Sequence, residues 1–205
     1  MKILKSKKMK IYNLEQGTEE WFNVRAGHLT ASNAQAISAN GKGLESYVYQ
    51  LLAEKYSNNR DQYTNSDIAR GNELEPLARM TYEIEREKVE EVGFIELDKY
   101  VGCSPDGLIG KDGGLEIKCV NDVNFFKLIV SGEKSIETKY LWQCQMCLLI
   151  TKRKFWDLAF YNPNFDRNLL IFRQKPDKAK QEKLKAGIKK GIELIKELTK
   201  KYETN

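Results

Sequence analysis

The chain has 205 residues, 41% hydrophobic and 31% charged, a size and composition that suit one globular domain over 1–205. Lys and Arg number 34 against 29 Asp and Glu, so a formal net charge of +5 permits a polyanionic partner without requiring one. No apolar run is long enough to span a bilayer, the start MKILKSKKMKIYNL lacks a signal peptide's apolar core, and four scattered cysteines argue against a disulfide framework; a cytoplasmic protein is expected.

Gly17-Thr18-Glu19-Glu20-Trp21 reads as a helix start, with Thr18 as cap and acidic residues in the positively polarised first turn. Trp21, Phe22 and Val24 would pack, with Arg25 at the end. Ala26-Gly27 breaks the helix, and Leu29-Thr30-Ala31-Ser32 is expected to open another through Ala34, Ala36 and Ile37. A hydroxyl-capped helix start beside an arginine can hold an anion. Equally, Thr30 and Ser32 only cap and Arg25 is solvated. His28 is read as structural or solvent-facing. Tyr47, Val48, Leu51 and Leu52 predict a helix over 46–57 that buries one face, and polar residues over 57–67 predict a loop. Ala69 to Arg79 leads into a helix ending near Lys88, and Pro76 places Glu75 in the first turn. Glu73 and Glu75 are not distinguished there, since either carboxylate could simply complement the helix dipole.

A strand is predicted over 89–97 and another from Tyr100 to Cys103, leading into GCSPDGLIGKDGGLEIKC at 102–119. Strand alternation puts Glu116 and Lys118 on one face and Ile117 on the other. A hairpin turn over 110–114 brings Asp106 back beside them. Two carboxylates and a lysine then converge, and hard oxygen ligands of this kind hold Mg²⁺ or Mn²⁺ while Lys118 orients a water. A solvent-facing hairpin is the plain alternative. Pro105 before Asp106 and the apolar flanks Val101, Leu108, Ile109, Leu115 and Ile117 argue against it.

Phe125, Phe126, Leu128 and Ile129 predict a short helix, followed by a longer one from Thr138 or Lys139 through Leu149 that is apolar on most faces and belongs in the core. Tyr140 and Gln143 share one of its faces. Cys144-x-x-Cys147 is read as small core residues rather than ligands. Lys152-Arg153-Lys154 is a basic turn before a strand over 155–161, and 169–172 is one more. After Pro176, Leu184, Ile188, Ile192, Ile195 and Leu198 line one side of a C-terminal helix over about 177–203 whose other side carries lysines.

Pro105-Asp106 with Glu116-Ile117-Lys118 resembles the PD-(D/E)xK nuclease signature, and CSPDGL…GLEIKC is similar to the lambda-type alkaline exonucleases, also described as YqaJ-type viral recombinases. Trp21-x-x-x-Arg25-x-Gly27-x-x-Thr30-Ala31-Ser32 is similar to that family's N-terminal motif, whose arginine and serine bind a nucleic-acid phosphate. ARGxxxE at 69–75 followed by Ala78-Arg79 resembles its helical motif and selects Glu75 over Glu73. Tyr140-x-x-Gln143-x-Gln145 is similar to the helix that approaches the scissile phosphate. The resemblance covers 18–165.

The resemblance implies an α/β (mixed) fold, a PD-(D/E)xK restriction-endonuclease-like core with a mostly antiparallel or mixed sheet of about five strands flanked by helices. It implies Asp106, Glu116, Lys118, Glu75, Gln143 and Tyr140 as catalytic residues and Asp106, Glu116, Ile117 and Glu75 as ligands of Mg²⁺, or Mn²⁺ in its place. Arg25, Ser32 and Ser104 would take a DNA 5′-phosphate. The implied activity is 5′-to-3′ digestion of double-stranded DNA ends to leave 3′ overhangs for recombination. A single-strand annealing protein would be a partner in a phage or prophage setting. The implied assembly is a ring-shaped trimer whose channel Lys152-Arg153-Lys154 and the lysines before residue 11 would approach. The alternatives are a PD-(D/E)xK endonuclease, an Fe–S resection-type nuclease whose one-plus-three cysteine arrangement is not matched here, and a non-catalytic DNA-end-binding module. Asp106, Glu116 and Lys118 are all present, which weighs against the last.

Overall fold

The computed structural model describes residues 9–57 and 66–204, so the lysines of the first eight residues and most of the loop expected over 57–67 lie outside the described residues. In chain order the elements are β1 (Lys10–Tyr12), α1 (Glu19–Arg25), β2 (Leu29–Thr30), α2 (Ala34–Ala39), α3 (Lys42–Tyr56) and α4 (Ser66–Glu85). Five strands follow: β3 (Val89–Glu90), β4 (Phe94–Asp98), β5 (Val101–Cys103), β6 (Gly107–Ile109) and β7 (Gly113–Cys119). The chain closes with α5 (Asp122–Ser131), α6 (Thr138–Thr151), β8 (Phe155–Tyr161), β9 (Leu169–Gln174) and α7 (Lys178–Thr204). The mixed α/β class agrees with the sequence reading.

The sheet is not one but two. A four-stranded sheet runs β1-β4-β5-β2 and a five-stranded one β3-β6-β7-β8-β9, each antiparallel except at β2–β5 and β7–β8. The strand expected over 89–97 is broken at 91–93, and its halves go to different sheets. Packing at Gly93 explains the break: a Cβ there would collide with the Leu14 backbone, and the Trp21 indole donates to the Gly93 carbonyl at 2.8 Å. The chain changes sheets again over 104–106, between β5 and β6. Asp106 therefore stands at the seam.

Three further expectations are corrected. Pro76 lies inside α4, which begins at Ser66, so Glu75 is mid-helix rather than in the first turn. Leu29–Thr30 is a strand rather than a helix start, because the Leu29 N–H donates to the Tyr100 carbonyl at 2.7 Å and the Thr30 N–H to the Tyr47 hydroxyl at 3.0 Å. Helix formation is delayed to α2, after a short 3₁₀ turn over Ala31–Asn33. The hairpin turn is also shorter than 110–114. Gly113 and Gly114 are already in β7, where a Cβ would strike the Phe155 and Trp156 rings; their glycines serve strand packing, while Gly110, at φ +47°, serves the turn.

The five-stranded sheet has a different cover on each face. On one, Trp156, Leu158 and Phe160 join the larger core beneath the buried part of α6, which extends to α2, α3 and α7. On the other, Ile109, Leu115, Ile117, Ala159 and Tyr161 meet Ala78 and Tyr82 of α4. Leu184, Ile188, Ile192 and Ile195 of α7 are buried as the sequence pattern predicts, each contributing roughly 1.5–3 kcal/mol by burial. Tyr82 is tied down by chemistry as well as packing. Its hydroxyl donates to Asp157 Oδ2 at 2.6 Å, and Arg173 donates to both oxygens of that buried carboxylate at 2.7 and 2.8 Å.

Candidate active site

Alternation along β7 places Glu116 and Lys118 on the α6 face, as the sequence predicts, and the antiparallel β6–β7 pairing returns Asp106 to them. Asp106 Oδ2 accepts the Ile117 N–H at 2.6 Å. Glu116 Oε1 accepts Lys118 Nζ at 2.7 Å and Gln143 Nε2 at 2.5 Å, so α6 reaches the site through Gln143. Lys118 Nζ lies 5.3 Å from the centroid of the Tyr140 ring, which supplies a π face to the ammonium. Glu75, on α4, is held by Arg79, whose Nη2 is 2.6 Å from Glu75 Oε1 while Nη1 is 2.6 Å from Glu91.

The carboxylates act on one another. Burial and then the Asp106 charge push Glu116 up to about 8, and the same two causes push Glu75 up to about 7; burial also raises Asp106, opposed by Lys118. Burial alone would depress Lys118, but Glu116 and Asp106 outweigh it and hold its proton more tightly. Glu116 and Lys118 are both displaced upward although they are partners. The geometry supports the charged lysine most directly, since its Nζ sits among carboxylate oxygens.

A cation would relieve this crowding. Glu116 Oε2 is buried without a hydrogen-bond partner, and the converging groups are the hard oxygen donors that Mg²⁺ or Mn²⁺ takes. Ile117 could add only its main-chain oxygen, because its side chain packs under α4. The ligand set is not closed up in advance: no three His, Cys, Asp or Glu side chains among the described residues are gathered into a ready metal cluster. Glu75 faces Arg79, and Glu116 faces Lys118 and Gln143. The donor set fits a divalent cation and its arrangement awaits one.

A second polar group lies around α1 and β2. The Arg25 guanidinium stacks over the Trp21 ring at 4.0 Å, its Nε is buried without a partner, and burial lowers its pKa. Ser32 Oγ is 3.1 Å from Thr30 Oγ1, which is 3.1 Å from the Tyr47 hydroxyl, and Tyr47 is in turn within electrostatic reach of Arg25. Tyr47 is thus more than the packing residue its helical spacing suggested. Ser104 Oγ, on the segment leading to Asp106, is buried and unpartnered. No hydrogen bond among the described residues joins Ser104 to Arg25 or Ser32.

Other residues take different roles from those the sequence suggests. Arg153 Nη1 donates to the carbonyls of Gly113 at 2.7 Å and Gly110 at 2.8 Å, with Ile109 at 3.4 Å, and Lys154 pairs with Asp112 at 2.8 Å. Two members of the basic turn therefore brace the 110–112 hairpin. Cys103, Cys144 and Cys147 are buried core residues, and burial raises the thiols of Cys144 and Cys147 well above the usual value. His28 is buried edge-on against Phe94, a structural position. Arg79 enters the site by pairing with Glu75 one helical turn before it, a spacing that pairs opposite charges, whereas no local spacing marks Glu91 as its second partner.

A family model for the YqaJ-like viral recombinase domain matches residues 20–154. The alkaline exonuclease LHK-Exo from Laribacter hongkongensis is 31% identical over 91% of this chain and 99% of its own, with a TM-score of 0.77. Its complex with dAMP superposes with a TM-score of 0.80. A phage-related exonuclease from Haemophilus somnus 129PT shares the fold at 13% identity, covering 88% of this chain and 99% of its own, with a TM-score of 0.68. No curated protein matches the chain.

Proposed function

Because the chain belongs to the YqaJ-like viral recombinase domain family, we propose that it is a metal-dependent exodeoxyribonuclease that digests one strand of a DNA duplex from its 5′ end. The observation that carries the reading is the Lys118–Glu116 contact at 2.7 Å in a buried pocket shared with Asp106, an arrangement of acid, acid and cation that a solvent-facing hairpin would not build. The likeness to LHK-Exo supports the reaction class.

In this reading Asp106, Glu116, Glu75 and the main chain of Ile117 would hold Mg²⁺, which when bound would lower the pKa of a water and offset charge on a phosphoryl oxygen. Lys118 orients the attacking water, whose oxygen becomes bonded to phosphorus as a phosphodiester P–O bond breaks, the proton that the water gives up ending on the oxygen that leaves. Gln143 fixes Glu116 and, with Tyr140, faces the reacting phosphate. Arg25, Ser32 and Ser104 take the 5′-terminal phosphate, and Arg25 offers its unpartnered Nε–H for a charge-assisted bond. The product would be a 3′ overhang suited to an annealing partner. A ring-shaped trimer would retain the duplex between cuts; among the described residues Lys10 and Lys152 keep the basic surface expected for its channel, and the lysine-bearing face of α7 adds to it.

The test uses linear duplexes labelled at the 5′ or the 3′ end, with Mg²⁺, beside a closed circular duplex. Early release of the 5′ label, retention of the 3′ label and an intact circle are expected. Cleavage of the circle would indicate an endonuclease, and binding to ends without any release would indicate a non-catalytic module.

A further inference from the structure

The well-engaged arginines around the five-stranded sheet have clear partners: Arg79 bridges Glu75 and Glu91, Arg153 ties the hairpin carbonyls, and Arg173 holds Asp157. Arg70 differs. It is half-buried on α4, its Nε is buried with no hydrogen-bond partner, and its one hydrogen bond among the described residues is a long 3.4 Å contact from Nη2 to the Val120 carbonyl. It forms no ion pair among the described residues. Asp122 lies within its field, but Asp122 Oδ1 already accepts Asn162 at 2.9 Å and Asn164 at 3.0 Å.

Its position gives this spare capacity a use. Cys119, at the end of β7 on the α4 face, lies within electrostatic reach of Glu75, Asp106, Lys118 and Arg70 together. Arg70 thus borders the acidic cluster on the side where β7 ends and α5 begins. A buried guanidinium N–H normally has an acceptor, and a planar fork whose donors are not taken up by the described residues matches phosphate oxygens. We infer that Arg70 binds a phosphodiester group of the nucleic-acid strand as it passes the acidic cluster, a substrate contact distinct from the pocket of Arg25, Ser32 and Ser104. Its charge also offsets the approach of a polyanion to Glu75, Asp106 and Glu116.

The inference rests on the nuclease reading and deepens it. Its test is equilibrium binding of a fluorescein-labelled, 5′-phosphorylated duplex in Ca²⁺ across a KCl series. Wild type is compared with Arg70→Gln, which keeps a donor for the Val120 carbonyl without the charge, and with Arg70→Lys. Each phosphate neutralised on B-form DNA adds about 0.9 to the slope of log affinity against log salt. Arg70→Gln is expected to bind about tenfold more weakly at 0.1 M salt with a slope smaller by about 0.9, and Arg70→Lys is expected to keep most of the slope. An unchanged slope in folded Arg70→Gln, with or without a lower Tm, would show that Arg70 only braces the end of β7 and would overturn the assignment. If Arg70→Gln does not fold, the same comparison with Arg70→Lys and Arg70→Met decides it. A wild-type chain that binds no duplex would overturn the nuclease reading and this inference together.

Discussion

The main-chain nitrogen of Ile117 lies 2.6 Å from Oδ2 of Asp106, so the aspartate that follows the sheet-to-sheet crossover is tied to the strand between Glu116 and Lys118. This bond sets the spacing of the acidic cluster. Asp106→Asn keeps the shape while removing a charge; Asp106→Ala also leaves the Ile117 N–H without its acceptor. Both are expected to lower the turnover rate by several orders of magnitude, and Lys118→Ala likewise, with duplex binding in Ca²⁺ retained. Near-normal cleavage by Lys118→Ala, or cleavage that persists in EDTA, would remove these residues from the chemistry.

Glu75, pushed up to about 7, and Glu116, pushed up to about 8, predict a pH dependence with a definite sign. An unfolded glutamate titrates near 4.3, so between about 4.3 and 8 the folded metal-free chain binds more protons than the unfolded one. Their contribution to stability is complete below that range and is lost as pH rises through 7 to 8. Melting in EDTA should therefore show Tm falling from pH 6 to pH 9. Added Mn²⁺ should raise Tm more at pH 8.5 than at pH 6, because ligation needs the deprotonated carboxylates. A Mn²⁺ effect that does not grow with pH contradicts this account.

Arg25 should distinguish DNA ends. Removing a guanidinium from a desolvated phosphate pocket is expected to cost roughly 1.5–3 kcal/mol, read as the preference for 5′-phosphoryl over 5′-hydroxyl duplexes. Initial rates on both substrates for wild type and Arg25→Ala would measure it. Equal rates on the two ends for the wild-type chain would place the terminal phosphate elsewhere.

The Tyr82 hydroxyl, 2.6 Å from the buried Asp157, anchors the helix that carries Glu75 and Arg70. Tyr82→Phe removes a hydrogen bond to a charged group and should lower unfolding stability by about 1.5–3 kcal/mol in urea titration. A change below about 0.5 kcal/mol would mean that Arg173 alone satisfies Asp157.

Gly114 packs beneath the Trp156 ring, where a Cβ has no room. Gly114→Ala is expected to destabilise by about 1–3 kcal/mol through displacement of that ring, whereas the exposed Gly110 tolerates a side chain sterically and resists it only through φ. Paired unfolding curves would separate the two kinds of glycine.

Much of this was legible from spacing. The capped helix at Thr18 follows from cap chemistry, and the apolar line of α7 and the shared face of Glu116 and Lys118 from periods of 3.6 and 2, which a single chain displays. The division into two sheets was not. It depends on Gly93 meeting Leu14 and on the chain changing sheets at 104–106, contacts between segments that no local period encodes. The same holds for the site's outer residues. Arg153 looks like a free cation in Lys-Arg-Lys, and only the fold shows that it closes the 110–112 hairpin. Arg79 was visible at a helical turn from Glu75, but its second partner, Glu91, lies beyond the end of α4.

The parallel pairing of β7 with β8 sets the order in which this molecule can become competent. Residues 113–119 cannot meet 155–161 until the whole of 120–154 has been made and folded back, and that span carries α6 with Gln143. A growing chain that has just emerged with its Asp106 hairpin holds the acidic residues in local contact, yet has neither the neighbouring strand nor the amide that steadies Glu116. Competence thus arrives late in synthesis. On the proposed reading, a nascent or truncated product ending before α6 is expected to be an inert intermediate.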